Sequence, residues 1–151
     1  MSSTTLRLQA SFVSATMALY LVADVANGWL FASWLEHVPG VSWVYLPAGI
    51  RLLSTLLFGG AGALGLLLAS WITTFFHYFP DDPQRAFVGG VIGALAPWLG
   101  YLHAGRSWRF GASLASLSPA RLLALSAAYA VANSLLHHLY FTWRGQEELF
   151  D

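Results

Sequence analysis

Long apolar blocks separated by short polar breaks run along this chain, at 9–35, 44–79, 86–104 and 119–143. A membrane-spanning helix needs about 20 residues at ~1.5 Å each. One helix over 44–79 would therefore be ~54 Å long in a hydrocarbon core of ~30 Å. That block must bend or divide. The break is written as Phe58-Gly59-Gly60-Ala61-Gly62, where three glycines in four positions make a weak helix centre and a good tight turn. The pattern thus predicts five helices at about 9–35, 46–58, 62–79, 86–104 and 119–143, in one integral membrane domain over 1–151. The second helix is only ~20 Å long, so it should start below the membrane surface after an irregular lead-in.

Composition supports an all-α polytopic membrane protein. Hydrophobic residues make up 57%, aromatics 15% and charged residues 9%, against roughly 25% charged in an ordinary soluble domain. The first block is far longer than the apolar core of a cleavable signal peptide and is read as a retained helix. Seven basic residues, all arginine, balance seven acids, which leaves no basic field for nucleic acid. There is no cysteine, which excludes disulfides, iron–sulfur clusters and thiol nucleophiles.

Loop charges orient the helices. With five helices and a cytoplasmic N-terminus, Arg7, Arg106, Arg109 and Arg121 fall inside, and Glu36, Asp81, Asp82 and Arg85 fall outside. Four helices would put Arg7 and the 105–121 loop on opposite sides, against the positive-inside trend. Trp29, Trp34, Trp43, Tyr45, Tyr78, Tyr140 and Trp143 then suit the outer interface, and Trp98, Tyr101 and Trp108 the inner one. The four-residue spacing of Ala61/Gly65/Ala69 and Gly89/Gly93 lets helix backbones approach closely, within one subunit or between copies in a homo-oligomer.

Candidate chemistry centres on two charges. Asp24 lies roughly 22 Å along the outward-running first helix and Arg51 roughly 8 Å into the inward-running second, so the two share a level in the outer half. An intramembrane charge faces the bundle interior and finds a partner. One reading is a structural Asp24–Arg51 ion pair, or an Arg51 side chain reaching back to the surface. The other is an outward site in which Arg51 binds an anionic group, with Asp24 as counter-ion and Asn27 as polar neighbour. Pro47 and Gly49 favour the site, because the amides of a helix's first turn and the positive end of its dipole attract anions. His77, His137 and His138 share that level, with His37 in the first outer loop. Histidines from two helices are able to ligate haem iron or a metal. Adjacent His137 and His138 point ~100° apart, however, so at most one faces a given site, and no cofactor is expected. No HExxH, GxSxG, P-loop or paired-carboxylate pattern is present, and the chain is read as non-enzymatic.

Trp43-Val44-Tyr45-Leu46-Pro47-Ala48-Gly49-Ile50, then Leu56-Leu57-Phe58-Gly59 and Gly62-Ala63-Leu64-Gly65-Leu66-Leu67-Leu68-Ala69-Ser70, resemble the MASE1 membrane-sensor region of bacterial signalling proteins. The resemblance covers about 43–140 and is carried mainly by 43–70. It implies a bacterial inner-membrane domain that senses a signal and passes it to a cytoplasmic kinase or cyclase module. The chain departs from that pattern: no output domain follows, and five helices leave the C-terminus outside. The expectation is therefore a sensor or ligand-binding domain acting through a separate membrane or signalling partner, or a chain with a sixth helix beyond residue 151. Two alternatives stay open: an accessory subunit of a larger membrane complex, and a small transporter or substrate-capture subunit.

Overall fold

The computed structural model describes residues 3–31, 36–38, 41–42, 45–108 and 117–145. Five helices carry the fold: α1 (Ser3–Phe31), α2 (Leu46–Phe58), α3 (Gly60–Thr73), α4 (Pro83–Trp108) and α5 (Pro119–Arg144). A π-helical turn, Thr74–Tyr78, continues α3. Two short strands, β1 (Glu36–Val38) and β2 (Val41–Ser42), pair antiparallel between α1 and α2, with Glu36 opposite Ser42. Apolar pattern alone did not anticipate them. Four helical segments, Ser3–Leu30, Gly60–Tyr78, Pro83–Ser107 and Pro119–Arg144, are long and apolar enough to cross a membrane. α2, with 13 residues, is the short one. The chain is an all-α integral membrane protein.

The helix ends differ from the apolar blocks because capping chemistry lies outside them. α1 starts at Ser3, six residues before the block, and carries Arg7 in its opening turns. α4 starts at Pro83, where the Asp82 side chain accepts the Arg85 amide at 3.0 Å and satisfies a first-turn donor. At the start of α5 Ser118 accepts the Arg121 amide, and Gly145 ends it in the left-handed conformation. Pro97 lies within α4 without ending it and is fully buried.

The division of the second block falls on a single residue. Gly59 has φ 56° and ψ −128° and serves as both the C-cap of α2 and the N-cap of α3. Such a backbone favours glycine. Gly62 then lies against the Ser54 carbonyl, where a Cβ would sit 2.2 Å from the oxygen. At Gly65 a Cβ would meet the Val13 carbonyl of α1 at 2.7 Å. The small-residue face of α3 therefore packs inside the subunit, against α1 and α2.

Two apolar clusters hold the bundle. One joins Tyr20, Leu66, Ala69 and Ala94; the other joins Leu52, Leu56, Ala96, Ala104, Leu125 and Tyr129. Ile50 packs on the first and Leu52 belongs to the second. Arg51, between them in sequence, is held where the clusters meet. The outward faces are apolar too, as at Val22, Val25 and Trp29 of α1 and Leu123, Leu139 and Trp143 of α5, which suits a lipid surround.

Candidate ligand-binding site

α1 presents one polar face to the bundle. Thr16, Tyr20, Asp24 and Asn27 follow one another at steps of four, four and three residues, which is helical spacing, and all four are buried. The Asn27 side-chain oxygen accepts the Leu46 amide of α2 at 2.9 Å. α1 thus supplies the cap that Tyr45, at the N-cap position, does not give with its own side chain.

That contact corrects one sequence expectation. The first-turn amides of α2 are not free for an anion: Leu46 is capped by Asn27, Pro47 has no N–H, and the Ala48 amide bonds the Tyr45 carbonyl at 3.1 Å. Pro47 is buried as the helix start. Gly49 is exposed, with nothing within 4 Å of where a Cβ would stand, and lies outside the site.

Arg51 is 8% exposed. Its Nη2 donates to the Tyr20 hydroxyl at 2.7 Å, and the guanidinium carbon lies 5.0 Å from the centre of the Tyr20 ring and 5.7 Å from that of Tyr45. A Cβ placed on Gly93 of α4 would be 3.1–3.2 Å from the guanidinium carbon and both terminal nitrogens. Near-equal distances mean that the planar group lies face-on against α4, at a position where any Cβ would press on it. Tyr129 of α5 lies close enough to interact with the same charge. α1, α2, α4 and α5 thus meet at one cation, whose Nε is buried without a hydrogen-bond partner.

Asp24 and Arg51 do not form the direct ion pair that their shared level suggested; among the described residues the salt bridge is Arg144 with Asp82. Asp24 instead accepts a 2.9 Å hydrogen bond from the Tyr78 hydroxyl, carried by the π-helical turn. The Tyr20 and Tyr45 hydroxyls are 3.3 Å apart. Three phenols, from α1, the α2 lead-in and the π turn, therefore associate with the two opposite charges, which stay unpaired. π-helical turns inside α-helices often mark functional positions, and here the turn supplies the hydrogen bond to the buried carboxylate.

The histidines are spread out. His137 is half-buried; its Nδ1 is 2.9 Å from the Asn133 carbonyl, and because a carbonyl only accepts, Nδ1 carries the proton. His77 is exposed and packs edge-on against Tyr78. His138 is exposed, and the side chain of His37 lies outside the described residues. No group of three metal-ligating side chains forms among the described residues.

The sequence pattern points to Asp24, Arg51 and Asn27, places Tyr45 and Tyr78 in the interfacial belt, and does not single out Tyr20 or Tyr129. The signal was available for Tyr20, four residues before Asp24 and seven before Asn27 on one helical face. A scan of family models, curated proteins and solved structures finds no match to this chain.

Proposed function

We propose that this chain is a non-enzymatic membrane ligand-binding domain of sensor type, in which Arg51 holds an anionic group and a partner protein reads the bound state. The observation that carries this is a buried guanidinium with an unpartnered Nε and no carboxylate in ion-pair contact among the described residues. A charge at mid-membrane costs at least ~2.5–3.5 kcal/mol on insertion scales. Phenol hydroxyls and aromatic faces offset part of that cost but bring no opposite charge. An incoming anion would do so. The signalling role and a bacterial inner-membrane setting draw on the resemblance of 43–70 to the MASE1 region, and the arginine distribution supports a cytoplasmic N-terminus with the site on the outer side.

The test is binding of benzoate and inorganic phosphate to the protein in lipid nanodiscs, wild type against Arg51→Gln, with circular dichroism to confirm folding. Losing one member of a buried, hydrogen-bonded charge contact costs at least ~2 kcal/mol, so affinity should fall by about 30-fold or more in a folded variant. A second reading, an accessory subunit in which Arg51 only ties helices together, is favoured by the number of helices meeting at the guanidinium. Its signature is an Arg51→Gln protein that unfolds and is restored by Asp24→Asn.

A further inference from the structure

Asp24 is as anomalous as Arg51. It is 8% exposed, and its only hydrogen bond from a described residue is the Tyr78 hydroxyl on Oδ1; no described cation pairs with it. Among the described residues the bundle therefore holds one buried cation and one buried carboxylate without an ion-pair partner, and Tyr20, which bonds Arg51, lies one helical turn before Asp24 on α1. A lone anion on Arg51 would leave two negative groups against one positive group in a low-dielectric interior, and like charges there repel strongly. A ligand carrying both signs adds no net charge and compensates both residues.

We propose that the ligand is a small zwitterion, with its acidic oxygens on the Arg51 guanidinium and its ammonium on the Asp24 carboxylate. This deepens, and rests on, the assignment of Arg51 as the ligand's anchor. Guanidinium and carboxylate form charge-assisted hydrogen bonds stronger than neutral ones, and the Arg51 Nε is a donor still to be matched. At the other pole an ammonium meets a carboxylate that already accepts the Tyr78 hydroxyl, and an ammonium–carboxylate contact is charge-assisted in the same way. Two sources supply this chemistry: a free amino acid, and the ethanolamine phosphate headgroup of a lipid.

The experiment is calorimetric titration of the full chain in nanodiscs of phosphatidylglycerol with glycine, β-alanine, 4-aminobutyrate and 6-aminohexanoate. Each is set against its halves, the carboxylate without the amine and the amine without the carboxylate. One spacing should bind at least about tenfold tighter than either half. Asp24→Asn should bring the zwitterion down to its carboxylate half while leaving the carboxylate's own affinity equal or higher; Arg51→Gln should abolish both. Adding phosphatidylethanolamine to the bilayer separates the sources: displacement of the amino acid assigns the site to a headgroup, and unchanged binding assigns it to the free molecule. A carboxylate half that binds wild-type protein within about threefold of every zwitterion overturns the proposal and leaves Arg51 as an anion anchor. If no zwitterion, carboxylate or inorganic phosphate binds and phosphatidylethanolamine is not retained on delipidation, both assignments fall. These wild-type comparisons decide the matter even if a variant does not fold.

Discussion

Two pairs of opposite charges sit in this bundle, and they are arranged in opposite ways. At the rim, Arg144 and Asp82 meet directly at 2.6 Å, each partly exposed. In the interior, Asp24 and Arg51 are nearly sealed from solvent and do not meet, each bonded to a tyrosine instead. Water reaches the rim pair, so contact there is inexpensive and contributes little. In the interior, direct contact would be the strongest available use of both charges, and the fold forgoes it. The difference teaches that closeness in a pair of opposite charges does not measure its importance: the closed pair is an ordinary surface contact, and the open one has bonding capacity left over.

The sharpest way to break this comparison is to crowd the interior cation. Gly93→Val would drive a side chain into the guanidinium, already 3.1 Å from a bare Cβ. It should cost about 2–3 kcal/mol by overpacking, read as a lowered melting temperature in detergent. Gly49→Ala, at an open position on the same helix as Arg51, should be neutral or stabilising by up to ~1 kcal/mol. Equal melting of the two variants would mean that the guanidinium is not confined by α4.

A middle-sized effect should follow from removing the cap that α1 gives α2. Asn27→Ala leaves the Leu46 amide without its 2.9 Å acceptor and should cost about 1 kcal/mol. Faster hydrogen exchange confined to the start of α2 would locate the loss; unchanged exchange at Leu46 would show that the bond does not hold in solution.

The smallest effect belongs to the rim. The hydrogen bond from Arg144, followed by that from the Arg85 amide, holds the Asp82 carboxyl below its usual range. A depressed carboxyl stabilises the fold at pH above its unfolded value of about 4, and that contribution fades as pH falls through the lower folded value. Wild-type melting temperature should therefore drop slightly more than that of Arg144→Gln between pH 6 and pH 3. Parallel curves for the two proteins would remove the pair from any account of stability.

How much of this was legible in the sequence depended on whether the signal was local. Gly59 and the apolar lengths placed all five helices, because a glycine-rich break and the thickness of a bilayer act on neighbouring residues. The expectation that Asp24 and Arg51 share a level follows from helical rise alone. What lies between them does not. Tyr45 and Tyr78 lie at the two ends of the 44–79 apolar block, where tyrosine suits a membrane interface, and their turn toward the interior depends on the lead-in to α2 and the π turn after α3. Neither leaves a mark in hydropathy. Gly93 was legible as a small residue for helix packing, but its occupant, a guanidinium from α2, depends on how three helices cross.

α2 is fixed at both ends to other parts of the bundle: Asn27 of α1 holds its first amide, and Gly59 with Gly62 joins its last turn to α3. A segment of 13 residues clamped in this way behaves as a strut. If Arg51 is drawn toward a new partner, the displacement bears on these two attachments, and through them on α1 and α3. A site on such a strut is mechanically coupled to the rest of the domain by construction.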